Sequence, residues 1–540
     1  MTDVLNYIWL GILAVFEGPA LFHLLGFALP AAPVMLFFGL LTGIAVGATP
    51  GLAGPMAMAI SLPILISVFG FTPDALLPVF GFLIGIMKGA TVGGAVPAIL
   101  FNTPGTPDAL MTTLDGHPMA LAGQPRRALR IAQISSVSGD TFSDLVLFVC
   151  APFLAILVER VLDLPEKTAL LVLSLSFVAA VMGRSLGRGL LSVSVGLFAA
   201  YVATGQDFYP RLTMGLPGLE NGFPMVAAVL GVLIVGEIFC SIEDLLRAGS
   251  SKTAADGGPE KRTSDSLEPG DLKRITPYIA RSAIIGTVIG AMPGVGSTLA
   301  AMLGYTFGKR RHEARRGPSD TPFGQGAPEG IAATEAANSA VSGANLIPVL
   351  SLGIPGNAAA VFLILAADSI GGFNPGPAVF RFTAPEVNPE LVIAFGIFTL
   401  MSLGNILNWT IGGAFMRSLG VLARIPNRYL LPVVLLVTLT SIYVQETSFF
   451  ALWVTFGFGI LGYLFRRAAV PVLPFVIAFI LAKPLEETAR EAFAATGSDL
   501  LFLFRSPVSL LLFAVTIGSI VFLHRTSDRH EPPSGPRMTK

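Results

Sequence analysis

The chain is poor in charge. Of its 540 residues only 13% are Asp, Glu, Lys or Arg, whereas ordinary soluble chains carry about 25%. That is too little charge to cover a soluble surface of this size. No sign dominates: 34 Lys and Arg balance 34 Asp and Glu, so the basic footprint of a nucleic-acid binder is missing. Cysteine is nearly absent, and Cys150 and Cys240 both lie in apolar runs, which implies neither a disulfide framework nor a zinc cluster. The five histidines (His23, His117, His312, His524 and His530) are too scattered for a metal site. No cofactor is expected. H-E-x-x-H and G-x-G-D are missing, as is G-x-x-x-x-G-K-[ST], and the one G-x-S-x-G, Gly183-Arg-Ser-Leu-Gly187, has no histidine near it in sequence, so neither an intramembrane enzyme nor a nucleotide-driven pump is expected. The first residues lack the basic stretch of a cleaved signal, and the first apolar run is expected to be retained.

Apolar residues, in contrast, make up 53% of the chain, with 59 Gly and 39 Phe, and mean hydropathy is +0.74. That is enough for roughly a dozen helical spans of ~20 residues. Runs at 131–158, 168–182, 190–203, 223–241, 391–416, 430–444, 449–465, 472–482 and 508–523 read as spans. Those at 21–48, 52–71 and 75–101 read as spans broken by Gly and Pro. The expected fold is all-α and polytopic, with about 11–14 membrane segments in two halves. The halves are residues 1–246 and 276–523, joined by a hydrophilic linker at 247–275 and followed by a polar tail at 524–540. Basic residues cluster in alternate loops (Arg126/Arg127/Arg130, Arg184/Arg188, then the linker), which places linker and tail in the cytoplasm. Basic clusters also flank 276–307 on both sides. A re-entrant hairpin with its tip at Pro293-Gly294 satisfies both.

The informative signal is an internal repeat. Gly43-Ile-Ala-Val-Gly47-Ala48-Thr-Pro50-Gly51 returns as Gly286-Thr-Val-Ile-Gly290-Ala291-Met-Pro293-Gly294, 243 residues on (293 − 50). Pro97-Ala-Ile-Leu-Phe-Asn102-Thr-Pro104-Gly105 returns as Pro348-Val-Leu-Ser-Leu-Gly353-Ile-Pro355-Gly356, 251 residues on (355 − 104). Each Pro-Gly should interrupt a helix at membrane depth. Such breaks are tolerated only where protein or a water-filled cavity covers them. Paired broken segments in corresponding halves mark transporter binding sites, and freed helix N-termini suit a carboxylate. The alternative is that the breaks are kinks that ease packing.

The substrate-binding candidates are therefore Pro50, Gly51, Asn102, Thr103, Pro104, Gly105, Thr106, Pro293, Gly294, Pro355, Gly356 and Asn357. Oxygen-bearing neighbours suited to a coupling sodium ion are Thr49, Ser297, Thr298, Glu335 and Asn338, although a lone Ser or Thr more often bonds its own helix. Glu335 and Asn338 are three apart and share a helix face. Glu329 reads as a cap or an interfacial pair. Lys88, inside an apolar run, either offsets a substrate carboxylate, snorkels or forms a structural pair. The four-residue ladder Gly81, Gly85, Gly89, Gly93, and the spacing of Gly43/Gly47/Gly51 and Gly286/Gly290/Gly294, read as close-packing faces.

These motifs resemble one family. The stretch Gly89-Ala-Thr-Val-Gly-Gly94-Ala-Val-Pro-Ala-Ile-Leu-Phe-Asn-Thr-Pro-Gly105, Leu114-Asp-Gly-His-Pro118, Pro322-Phe-Gly324-Gln-Gly326, Glu335-Ala-Ala-Asn338 and Leu352-Gly-Ile-Pro-Gly356 are similar to the tripartite tricarboxylate transporter permease, large membrane subunit. Weaker echoes include Arg211-Leu-Thr-Met-Gly215 and Gly404-Asn405. The resemblance implies secondary active import of a di- or tricarboxylate or related organic acid, coupled to Na+, across the bacterial cytoplasmic (inner) membrane. It also implies two partners, a small membrane subunit and a periplasmic substrate-binding protein. Val92 and Ala95 replace the Tyr and Ser often found around the Gly-Gly pair, and Ser339 replaces a second Asn. The remaining alternatives are a carboxylate transporter working without a binding protein and an anion channel. A channel is disfavoured by the inverted-repeat style of the breaks and by the missing ring of charge.

Overall fold

The computed structural model describes residues 2–24, 27–49, 52–103, 107–182, 185–205, 209–247, 267, 269–293, 296–315, 317, 320–382, 387–418, 427–497, 499 and 501–527. It is all-α apart from two short antiparallel pairs, Ala20–Leu24 with Phe27–Pro30 and Ala203–Thr204 with Pro210–Arg211. Among the described residues, five helical stretches are long and apolar enough to cross a membrane: Pro73–Phe101, Pro125–Val161, Met225–Glu243, Pro389–Met416 and Phe449–Arg467. The chain divides into two compact units, 1–158 with 224–463, and 159–223 with 464–540.

The first unit holds both copies of the repeat. In the first copy α1 (Ala31–Gly47), α2 (Gly54–Phe69), α3 (Leu76–Gly93) and α4 (Ala95–Phe101) are followed by α5 (Leu110–Leu121) and the long α6 (Pro125–Val161). In the second, α7 (Pro269–Gly290), α8 (Gly296–Arg315), α9 (Pro328–Ala344) and α10 (Leu346–Leu352) lead into α11 (Ala358–Ile370) and α12 (Pro389–Leu407). The correspondence is detailed. α3 and α4 are separated by the single residue Gly94, and α9 and α10 by Asn345. The cause is a proline four residues past the end of each long helix, Pro97 after Gly93 and Pro348 after Ala344. Its ring collides with that carbonyl and bends the chain. Both short helices then end on a left-handed residue, Asn102 at φ 53° and Gly353 at φ 72°, the conformation that favours Asn and Gly at a helix C-terminus. Thr103 N–H and Ile354 N–H each reach back to the proline carbonyl at 3.2 Å.

The glycine ladders pack as read. α1 and α3 lie backbone to backbone, because each presents glycine to the other. A Cβ at Gly85 would stand 2.5 Å from the Leu36 carbonyl oxygen and 2.6 Å from Leu40 N, and one at Gly43 would stand 2.5 Å from the Ile86 oxygen. Gly286 and Gly290 serve α7 against α9 in the same way, meeting Ala337 and Val341. Overpacking a tight core costs about 1–3 kcal/mol, occasionally more. Gly85→Val is therefore expected to depress the yield of folded protein, measured by size exclusion in detergent. A wild-type yield would show that the helices can part.

α7 and α8 pack against each other as a hairpin around the break at Pro293. One arginine of the 126–130 cluster and one of the 273–274 pair meet carboxylates within this unit. Arg127 Nε donates to Asp271 Oδ2 at 2.9 Å, and Arg274 donates to Glu329 Oε1 at 2.9 Å and to Asp320 Oδ1 at 3.3 Å. Glu329 thus forms the interfacial pair. The second unit packs Leu164–Met182, Leu186–Tyr201, Val472–Ala495 and Pro507–Ser527. Within it Gly189 and Gly196 admit the backbones of Ala179 and Phe475, and Arg211 pairs with Glu486 at 2.9 Å.

Candidate functional site

The helix that follows each Pro-Gly break starts at one shared cavity. Gly54 opens α2 and Ser297 lies in the first turn of α8. Asn357 caps α11, its Oδ1 accepting from Ala360 N at 2.8 Å, and Asp108 sits in the short 3-10 turn Pro107–Ala109 before α5. All four residues line a part-open cavity of about 100 Å³, whose remaining wall includes Asn338 and Ser342 of α9. Two further helices, α3 and α9, form its sides through Met87, Ala90 and Thr91 and through Asn338, Val341 and Ser342. Thr91 Oγ1 stands 3.5 Å from Ser342 Oγ, so the two repeat copies touch at this wall.

The polar inventory of the cavity is specific. Asn338 is 4% exposed, and its Oδ1 has no hydrogen-bond partner in the protein. Left so, a buried carbonyl oxygen costs about 1–3 kcal/mol, and a ligand or cation in the cavity would remove that cost. Asp108 Oδ1 accepts from Thr298 Oγ1 at 2.5 Å. The site thus combines helix N-termini, which favour an anion, with a carboxylate and amide oxygens, which favour a cation.

The structure brings together some of the residues singled out from sequence and separates others. Ser297, Asn338 and Asn357 line the cavity, and Thr298 holds Asp108 at its rim. Pro355 and Gly356 are buried directly before Asn357, and Pro293 is half-buried. A Cβ at Gly356 would lie 2.7 Å from Asn345 Oδ1, so glycine is required there by close approach. Glu335 lies one turn behind Asn338, wholly buried. Its two oxygens accept from Thr112 Oγ1 at 2.5 Å and Ser136 Oγ at 2.7 Å, tying α9 to α5 and α6. Thr49 is buried and donates to Ala45 O of its own helix at 2.9 Å. Asn102 and Thr103 are exposed at the end of α4. Pro50, Gly51, Pro104, Gly105, Thr106 and Gly294 lie outside the described residues.

Three groups went unnoticed in the sequence. Asp108 and Ser342 carried no periodic signal. Asp140 and Asp144, by contrast, are two carboxylates four apart within an apolar run, which is a legible anomaly. They settle the role of Lys88, whose Nζ donates to Asp140 Oδ2 at 2.8 Å, Asp144 Oδ2 at 2.7 Å and Asn405 Oδ1 at 3.0 Å. Lys88 is fully buried in a structural cluster behind the cavity. A second latch explains two of the family-like motifs. Asp115 Oδ1 accepts from the backbone N–H groups of Gly324, Gly326 and Ala327 at 2.8–3.0 Å. Gly324 and Gly326 have φ of 85° and 96°, values open to glycine, and so Leu114-Asp-Gly-His-Pro118 and Pro322-Phe-Gly324-Gln-Gly326 form one joint.

Paired broken helices opening on a common polar cavity, in an apolar helical chain, define a multi-pass membrane protein of transporter type. The chain belongs to the tripartite tricarboxylate transporter TctA family, whose sequence model matches residues 34–477. Two proteins of Agrobacterium vitis are similar to it. One, an uncharacterized 52.8 kDa protein in the TAR-I ttuC' 3' region, is 32% identical over 507 residues, covering 92% of this chain and 94% of the relative. The other, an uncharacterized protein in the TAR-II ttuC' 3' region, is 29% identical over 240 residues, 44% of this chain and 92% of the relative. No solved structure matches the chain.

Proposed function

We propose that the chain is the large permease subunit of a tripartite importer in the bacterial cytoplasmic membrane. It takes up a di- or tricarboxylate or a related organic acid by sodium symport, working with a small membrane subunit and a periplasmic binding protein. The observation that supports this most is the meeting of the residues after all four Pro-Gly breaks at one cavity. A carboxylate suits the N-termini of α2, α8 and α11. Asp108, Asn338 Oδ1 and the hydroxyls of Ser297 and Ser342 provide oxygen atoms for a sodium ion beside it. Glu335, one turn behind and held by Thr112 and Ser136, supports the wall that carries Asn338.

The partner claim has its own test. The permease and its small subunit, reconstituted in liposomes under an inward sodium gradient, are expected to accumulate carboxylate only when the loaded binding protein is present outside. Equal accumulation without it would leave a carboxylate transporter that needs no binding protein.

A further inference from the structure

The cluster behind the cavity has a charge surplus. It contains one ammonium, Lys88, and two carboxylates, Asp140 and Asp144, and all three are at most 4% exposed. The neutral partner Asn405 donates from Nδ2 to Asp144 Oδ2 at 2.7 Å. Both carboxylates spend Oδ2 on this network, while Oδ1 of each is buried without any partner. Among the described residues no second cation pairs with either aspartate. The elements facing the cluster are α3 with Lys88, α6 with both aspartates, α12 with Asn405, and α9, which presents Gly343. Another titratable group on these elements is Glu335 of α9, about two helical turns before Gly343 and occupied by the hydroxyls of Thr112 and Ser136. Formally the cluster carries one negative charge out of reach of water, which burial strongly disfavours.

We propose that the Asp140/Asp144 pair holds one exchangeable proton, and that this proton is a second coupling ion for the cavity. A proton is the cation that fits. The unpartnered Asp144 Oδ1 is packed against the Gly343 backbone, where an added Cβ would stand 2.2 Å from it, and a proton on the pair needs no added volume. With the proton in place the cluster is neutral, one ammonium against one carboxylate and one carboxylic acid. The proton belongs to the coupled pair and not to either aspartate alone. The link to the cavity is covalent and short: Lys88 follows the lining residue Met87 on α3, and Gly343 follows the lining residue Ser342 on α9. Losing the proton adds charge between the helices that form the two walls, a local electrostatic event of the kind that shifts a two-state element.

The coupling half of the proposal rests on the transporter reading, and the proton site does not. Infrared spectra of the purified full-length chain at neutral pH are expected to show a carboxylic-acid carbonyl band that shifts in D2O. The band should persist in Glu335→Gln, and it should vanish in Asp140→Asn and in Asp144→Asn, each of which neutralises the cluster without a proton. No band in either wild type or Glu335→Gln overturns the proton site, and these two spectra decide it even if the aspartate variants fail to fold. A band that survives both aspartate variants overturns it equally. In liposomes holding the complete complex at a fixed sodium gradient, the accumulation ratio is expected to rise about tenfold per unit of inward pH gradient, since one unit is worth ~1.4 kcal/mol per proton. Either aspartate variant should abolish that rise. A rise unchanged in both variants overturns the coupling role and leaves the proton site standing. If no carboxylate is taken up at all, the transporter reading fails and the coupling role with it, while the spectra still decide the proton.

Discussion

Asn338→Leu is expected to slow carboxylate uptake on the order of 10- to 100-fold while leaving the folded protein as stable as before, or more so. The two effects have one cause. Asn338 lines the cavity and its Oδ1 is buried without a protein partner, so a leucine, branched at the same atom, breaks no hydrogen bond to Oδ1 and removes an unsatisfied group worth about 1–3 kcal/mol. During transport the same oxygen faces an ion. A hydrogen bond or ion contact to a charged group is worth ~1.5–3 kcal/mol, and each ~1.4 kcal/mol is tenfold in rate. Uptake in proteoliposomes and thermal unfolding in detergent measure the two sides. Normal uptake by a stable Asn338→Leu protein would remove Asn338 from the site.

Collapsing the sodium gradient is expected to remove concentrative uptake except for what a pH gradient sustains. An inside-negative membrane potential opposes entry of an anion by ~2.3 kcal/mol per charge per 100 mV, so a dicarboxylate entering alone meets ~4.6 kcal/mol at that potential. Cations must travel with it. The oxygen groups beside the helix N-termini, Asp108, Asn338, Ser297 and Ser342, give a sodium ion a place next to the anion. A sodium ionophore added to loaded proteoliposomes should release the accumulated substrate. Undiminished accumulation, with the pH gradient the sole remaining force, would assign the coupling to protons alone.

Much of the membrane architecture is written in local pattern. The prolines at 97 and 348 and the four-residue glycine ladders follow from backbone chemistry that acts over a few residues, and each has its structural counterpart; of the Pro-Gly blocks, Pro355-Gly356 lies wholly among the described residues. What escaped is long-range. Asp108 and Ser342 reach the cavity because α5, α8 and α9 meet there, and no spacing along the chain records that meeting. Asp115 closes on a loop more than two hundred residues away, at Gly324–Ala327. Lys88 was readable as an anomaly, but its resolution needed partners from α6 and α12. Thr49 shows the opposite limit: beside a Pro-Gly break it has the right chemistry for an ion, and its hydroxyl is spent on Ala45 O.

The most direct test of the central claim, that the cavity between the breaks holds the carboxylate, is substrate protection of single cysteines. In a Cys150→Ser, Cys240→Ser background, Ser297→Cys and Asn357→Cys would each be placed in the cavity, with Leu501→Cys, 63% exposed in the second unit, as a control. A small maleimide would be applied to the assembled complex in liposomes. The carboxylate retained by the binding protein, chosen from a screen including citrate, would be present or absent. Labelling at 297 and 357 is expected to fall when carboxylate and sodium are both present, with labelling at 501 unchanged. Unaltered labelling at 297 and 357 in a complex that still transports would contradict the claim and move the substrate elsewhere.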